Sequence, residues 1–412
     1  MDNHLSVLKA NREYSSALRQ SDGQVGGSAS KCAVFSFLLL CVLCVSPLLG
    51  GTSFAVTPRI ATGWDHTVMV RADGTLWAWG WNQSGQLGDG SPINRLPPFD
   101  SFIPVRIGTD NEWASVATGY YHSAALKADG TLWAWGNNQY GSLGDGTTMN
   151  RLVPVRIGAD NEWVSVAAGY DYTVALKSDG TLWSWGHNNL GQLGDGTTTD
   201  RPTPVRIGTD KRWRAVASGD VHTVALKSDG TLWSWGCFSD TRLGDSKTTG
   251  SLTPVQIGTE NDWVSIAAGY YHSVALKSDG TLWAWGNNRL GSLGDGTTTN
   301  RPTPVRIGTE NDWVSIATGG YHSAALKSDG TLWGWGSNYF GELGDGTTEN
   351  RPAPVRIGTD TTWISVATSW NHTVALKSDG TVWAWGWNAH AQLGDDSKTD
   401  RQSPVRVLFP PQ

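Results

Sequence analysis

Leu176-Lys177-Ser178-Asp179-Gly180-Thr181-Leu182-Trp183-Ser184-Trp185-Gly186 decides the fold, because the chain contains this stretch, with small changes, seven times. The Asp-Gly pairs stand at Asp73-Gly74, Asp129-Gly130, Asp179-Gly180, Asp229-Gly230, Asp279-Gly280, Asp329-Gly330 and Asp379-Gly380. The first interval is 56 residues and every later one is 50. Asp-Gly readily takes the positive-φ turn whose twist suits two antiparallel strands, and the flanks alternate with period two. In the strand leaving the turn, Leu182, Ser184 and Gly186 point one way while Trp183 and Trp185 point the other. A strand-rich unit repeated about every 50 residues is the mark of a propeller.

One full unit begins Trp263-Val264-Ser265-Ile266-Ala267-Ala268-Gly269, passes Tyr270-Tyr271, and continues His272-Ser273-Val274-Ala275-Leu276-Lys277 into the turn. Thr281 to Gly286 follows, then a loop through Gly291, Leu293 and Asp295, and Pro304-Val305-Arg306-Ile307 closes the unit. Four short strands per unit predict an all-β chain, a seven-bladed β-propeller of four-stranded antiparallel blades. The blades fall near 57–107, 113–157, 163–207, 213–257, 263–307, 313–357 and 363–408. The longer first interval places an insertion around Pro98 to Ile103, in a loop that tolerates it cheaply.

Of the 24 Trp, fourteen are the paired hairpin residues, and Trp113, Trp163, Trp213, Trp263, Trp313 and Trp363 recur at another fixed place. Large flat side chains at repeating positions are packing material between sheets. Lys and Arg total 31 against 37 Asp and Glu, a mildly acidic balance that argues against sequence-independent binding of nucleic acid.

Residues 1–55 lack the repeat. A polar stretch ending in Lys31 precedes an apolar run from Cys32, and Ser53-Phe54-Ala55 offers small residues at a cleavage-like spacing. The segment reads as a secretory signal peptide with a long leader, or as an uncleaved anchor in which residues 32–49 touch the membrane. Both readings place the propeller of residues 56–412 outside the cytoplasm: secreted, periplasmic or at the cell surface. After cleavage the chain keeps only Cys237 and carries 27 basic against 34 acidic residues, so an exported fold is held by packing, without a disulfide.

The succession Gly-x-x-His-[Ser/Thr], Ala-Leu-Lys, Asp-Gly, Trp-x-Trp-Gly-x-Asn-x-x-Gly-x-Leu-Gly-Asp and Pro-Val resembles the repeat of the regulator of chromosome condensation family, over roughly residues 57–408. The resemblance implies a seven-bladed propeller. It also implies three kinds of function: partner binding, as in a secreted bacterial inhibitor of β-lactamases, guanine-nucleotide exchange on a small GTPase, and ultraviolet-B sensing. Exchange depends on a protruding hairpin, and the only insertion here is the short one near Pro98. The sensing motif Gly-Trp-x-His-Thr is matched by Gly63-Trp64-Asp65-His66-Thr67 and less fully by Ser369-Trp370-Asn371-His372-Thr373, without the Arg of the motif.

Alternate connections of an up-and-down blade lie on opposite faces of the disc. The Asp-Gly turns share one face with the Gly-Thr-Asp-Asn-Glu-Trp links and are nearly identical, with Lys127, Lys177, Lys227, Lys277, Lys327 and Lys377 before the turn. The other face carries dipeptides that differ from blade to blade: Trp64-Asp65, Tyr120-Tyr121, Tyr170-Asp171, Asp220-Val221, Tyr270-Tyr271, Gly320-Tyr321 and Trp370-Asn371. Uniform positions serve the common fold, whereas variety among Tyr, Trp, Asp and Asn suits a specific interface. The candidate partner-binding residues are therefore Trp64, Asp65, Tyr120, Tyr121, Tyr170, Asp171, Asp220, Tyr270, Tyr271, Tyr321, Trp370 and Asn371. The competing reading has these aromatics plug the central channel. If they only bind, alanine at Trp64, Tyr121, Tyr271 and Trp370 together removes partner capture and leaves thermal unfolding nearly unchanged.

His66, His122, His222, His272, His322 and His372 occupy one equivalent place, with Tyr172 in blade three. One blade apart, they are too distant to share a tetrahedral ion, and a buried hydrogen-bonding role fits them. The Leu-Gly-Asp-Gly-Thr-Thr loops supply one carboxylate where a calcium loop supplies several, so Asp145 and Asp295 are expected to accept backbone N–H bonds or to pair with Arg151 and Arg301. No nucleophile stands beside a base. The expected molecule is a monomeric, non-enzymatic binding protein with no cofactor or metal and an unidentified protein partner. Blade four departs from the pattern at Cys237 to Thr241, Lys211, Arg212, Arg214, Ser251 and Gln256, as drift or as a specialised edge.

Overall fold

The computed structural model describes residues 59–91, 102–237, 241–246 and 250–411. The leader, the insertion at residues 92–101 and parts of the blade-four loop lie outside them. Among the described residues no helix is long and apolar enough to cross a membrane. These residues form seven four-stranded sheets, each with its strands in sequence order and antiparallel throughout. Blade five shows the plan: Trp263–Ala268, His272–Lys277, Leu282–Gly286 and Arg301–Ile307. The first strands of successive blades touch around a ring, including the first and last, and line a central cavity of about 420 Å³.

Each hairpin turn is a three-residue loop. In blade five Lys277 and Thr281 close it, with only Gly280 at positive φ (+79°). The sequence suggests a tight Asp-Gly turn, but Asp279 does not take positive φ; its carboxylate instead accepts from the N–H and hydroxyl of Thr281, at 3.0 and 2.7 Å. That hydroxyl in turn accepts from Trp283 Nε1 at 2.9 Å. Asp-Gly-Thr-x-Trp is thus one hydrogen-bonded unit joining turn to strand.

The core lies between blades. Trp79, Trp135, Trp185, Trp235, Trp285, Trp335 and Trp385 are all buried, each inserted against the preceding blade. Trp285, for example, packs with Val224, Leu226, Leu232 and Ile257 of blade four and donates from Nε1 to the Arg242 carbonyl at 2.9 Å. Burial of one such indole contributes on the order of 4 kcal/mol by area. The Gly of Leu-Gly-Asp makes room for it: a Cβ at Gly244 would lie 2.8 Å from Trp285.

The repeated histidines form the second inter-blade joint. His122 Nε2 meets Thr173 Oγ1 at 2.9 Å, His222 meets Ser273 at 2.9 Å, and His322 meets Thr373 at 2.9 Å. His66 and His272 repeat the contact with Ser123 and Ser323. The Ser123, Thr173, Ser323 and Thr373 hydroxyls donate to carbonyls of the blade before, so the imidazole is the donor and the ε-tautomer is set. In blade three Tyr172 replaces the imidazole and donates to the His222 carbonyl at 2.6 Å. The structural role expected of these residues is the one they have.

On the uniform face, Lys127 Nζ lies 5.0 and 4.6 Å from the rings of Trp113 and Trp133, with Asp110 as its ion-pair partner. The arrangement recurs in blades three to seven with their own Lys and Trp pairs. The loop aspartates also behave as expected: Asp145, Asp195, Asp295, Asp345 and Asp395 pair with Arg151, Arg201, Arg301, Arg351 and Arg401.

Because all four strands of every blade come from one consecutive segment, the ring closes by side-to-side packing. Trp79 donates to the Gln392 carbonyl at 2.9 Å, and Thr67 meets His372 at 3.2 Å. Blade one has no leading Trp of its own; Phe409 fills that place. It lies 5.5 and 6.1 Å from Trp77 and Trp79, as Trp113 lies 6.0 and 6.3 Å from Trp133 and Trp135. Arg71 stands over Trp77 and Phe409 where Lys stands in the other blades.

Candidate functional site

Both predicted faces exist. The Ala128 N–H of a hairpin turn bonds the Glu112 carbonyl of the preceding link, and the Asn137 N–H of a Trp-Gly-x-Asn loop bonds the Tyr121 carbonyl of a variable dipeptide. The seven dipeptides therefore converge on one mouth of the channel, at the tight corners between first and second strands.

Their aromatic rings form one continuous cluster. Tyr120 lies 3.5 Å from Trp64, 4.3 Å from Tyr170 and 5.4 Å from Tyr270. Trp370 lies 5.7 Å from Trp64, 4.5 Å from Tyr270 and 5.6 Å from Tyr321. Tyr271 stacks on Tyr321 at 4.9 Å. The expected neighbourhood of Trp64 and Trp370 across the ring seam is present. Tyr120 is 5% exposed, whereas Trp64, Tyr121, Tyr170, Tyr270, Tyr271, Tyr321, Trp370 and Asn371 are half-buried. Tyr120, Tyr170, Tyr270 and Trp370 line the cavity, so the cluster caps the channel and presents its outer edges to solvent. Removing four rings at once would open this cap, so alanine at Trp64, Tyr121, Tyr271 and Trp370 together should lower thermal stability, as the plug reading expects.

Three carboxylates sit among the rings. Burial holds Asp65 well above the usual carboxylate range; Asp171 is pushed up to about 7 by burial, with Asp220 and Asp200 adding to the effect. Asp220 is raised to about 6 by burial, against the opposing pull of Arg242. Burial likewise raises Tyr120, Tyr121 and Tyr270, and takes Tyr170 to about 12. Burial thus favours the neutral form of each of these groups. Among the described residues no group of three or more His, Cys, Asp or Glu is placed to hold a metal ion.

A second tier of residues, not singled out in the sequence, encircles the cap. Trp81 stacks on His390 at 5.4 Å and lies 5.3 Å from Tyr121. Trp387 lies 5.4 Å from His390 and 5.9 Å from Phe340. Trp81, His187 and Trp387 all follow the Trp-x-Trp-Gly motif, where the repeats also vary; comparing those loops as closely as the dipeptides would have found them. In blade four, Arg242 replaces the Gln, Ser or Glu of other blades. Its guanidinium lies 4.5 Å from the Tyr271 ring and 3.8 Å from Asp220. Lys211 and Arg212 pair with Asp179, Asp210 and Asp229, and Arg214 donates to the Trp263 carbonyl.

Comparison with known proteins agrees with this architecture. The profile of the family described as RCC1-like domain matches residues 2–261 and 158–411. The structure of human WBSCR16 superposes with a TM-score of 0.73 at 24% identity, covering 82% of this chain and 95% of that one. Prp20p from Saccharomyces cerevisiae, known for its binding to Gsp1p and histones, gives 0.71 at 24% identity over 80% and 85% of the two chains. Among curated proteins, the ultraviolet-B receptor UVR8 of Arabidopsis thaliana is 34% identical over 93 residues, 23% of this chain and 20% of that protein. The X-linked retinitis pigmentosa GTPase regulator homolog of Caenorhabditis elegans is 34% identical over 91 residues, 22% of this chain and 6% of that protein. The matched part thus spans a fifth or less of these two relatives' length.

Proposed function

The chain belongs to the RCC1-like domain family, and from that premise we propose that it is an exported protein-binding scaffold that engages its partner through the aromatic cap. The observation that carries this reading is the contrast between the faces. One repeats the same Lys, Trp and Asp around the ring, and the other repeats almost nothing at the dipeptides while concentrating Tyr and Trp. Half-buried aromatics already ordered by their neighbours lose little entropy on binding, which is why such residues anchor interfaces. Export rests on the apolar run at residues 32–49 and on a repeat region with a single cysteine, Cys237.

The test compares the two faces. Tyr121→Ser with Tyr321→Ser should weaken capture of a partner from the native host's exported proteins by about tenfold or more, as loss of interface anchors does. Glu162→Ala with Lys211→Ala, on the uniform face, should leave it unchanged. Capture that survives the first pair and fails with the second would refute the assignment. Nucleotide exchange is the second reading, favoured by the fold shared with Prp20p, and it requires faster nucleotide release from a small GTPase.

A further inference from the structure

The channel has one closed end. Tyr120 of blade two and Tyr270 of blade five meet at 5.4 Å across the ring, and Trp370 of blade seven lies 6.4 and 4.5 Å from them. At the opposite end, where the first strands begin on the uniform face, Val164, Val314 and Ile364 are 49, 41 and 51% exposed. Each directly follows the leading Trp of its blade. The cavity of about 420 Å³ is therefore a blind tube that opens away from the cap.

Its wall is made of strand edges. In every blade the first strand is the end of its sheet, paired on one side with the second strand and on the other with none. The channel side thus carries backbone N–H and C=O groups at regular intervals without a ladder partner. Below the cap the lining consists of Ala, Gly, Ser, Thr, Val and Ile, with no charged side chain; residues 116–119 and 216–219 are two such segments. Alanine stands at 61, 117, 167, 217, 267, 317 and 367, so no large residue narrows the tube at that level in any blade.

We propose that this channel receives the extended terminus of a polypeptide with small, uncharged side chains, held as an added strand. A ligand here must return hydrogen bonds to groups spaced along a strand, which an extended backbone does and a compact molecule does not. A chain end is required because the tube is blind. Residues 116–119 span about 10–13 Å as extended chain, so the tube holds about three to four residues of the guest. The site is separate from the outer edges of the cap, and it stands or falls independently of the partner assigned to them.

Acetyl-tetraalanine amide is the probe and its fully N-methylated analogue the control, each titrated into the full protein by calorimetry. The first should bind saturably in the millimolar range, as suits a small fragment that displaces water, and the second, without N–H donors, should show no saturation. A version of the probe carrying a photoreactive diazirine side chain should crosslink to residues 116–119, 216–219 or their counterparts in other blades. Ala168→Leu with Ala268→Leu enlarges two lining residues and should weaken binding about tenfold or more by filling the tube. Ala168→Val with Ala268→Val introduces a size that the wall already carries as Thr118 and Thr318, so it should keep the thermal midpoint of the parent and weaken binding about threefold. The test therefore does not depend on the leucine pair folding. No saturable binding, equal binding of the methylated analogue, crosslinks confined to the outside of the disc, or binding unchanged in the folded variants would overturn the proposal.

Discussion

Acidification from pH 7 towards pH 4 should unfold the whole disc in one cooperative step. Six buried imidazoles cause this. His66, His222, His272, His322 and His372 are lowered to about 3 and His122 to about 4, in each case chiefly by burial. A group whose folded value is depressed stabilises the native state above its unfolded value, near 6.5, and that contribution disappears as pH falls towards the folded one. At pH 4 each histidine has withdrawn about 3 kcal/mol, so the six together exceed the 5–15 kcal/mol that holds a typical domain. Asp65, Asp171, Asp220, Glu342 and Asp400 oppose this, since their raised values make the fold more stable as pH falls through the same window, and they offset part of the histidines' loss. Near-ultraviolet circular dichroism and Trp fluorescence should report a midpoint of about pH 4 to 5.5. Native spectra persisting at pH 3 would show that the ring does not depend on neutral imidazoles.

Deleting Leu408 to Gln412 should cost about 2–4 kcal/mol, the range for losing a large, partly buried apolar side chain from a core. Phe409 packs on Trp77 and Trp79 and lies beneath Arg71, so its loss weakens the joint where blade one meets blade seven. The urea midpoint should fall. Phe409→Ala should reproduce most of the effect, and Phe409→Trp, which restores the residue used in the other six blades, should keep stability near that of the parent. Equal midpoints for parent and truncated chain would mean that Trp79 and the His372–Thr67 contact close the ring unaided.

The Asp-Gly hairpins, the four-stranded blades, the two faces and the His-to-hydroxyl joints were legible because each repeats with a fixed offset. Phe409 was not, since it lies outside the repeat and acquires its role only when the ring brings the carboxyl end against Trp77. The dipeptides were legible as a set but not in their depth. A tight corner has no helix or strand period to say which ring turns inward, so Tyr120 and Tyr121 look alike in sequence and differ in burial. Arg242 and Trp81 lie in loops that also vary between blades, and an irregular loop carries no period to say that their side chains turn towards the corners.

Seven joints of nearly one shape also set a hazard for assembly. A second-strand hydroxyl that suits the imidazole of the blade before it would suit that of almost any other, whether in the same chain or in another molecule. During refolding at high concentration, two chains can therefore trade contiguous groups of blades, or leave one out, and still satisfy most contacts. Among the described residues few features besides Arg71, Phe409 and Ser369 mark a joint as the correct last one, so interlinked dimers and rings of the wrong count are the misfolded products this architecture should yield.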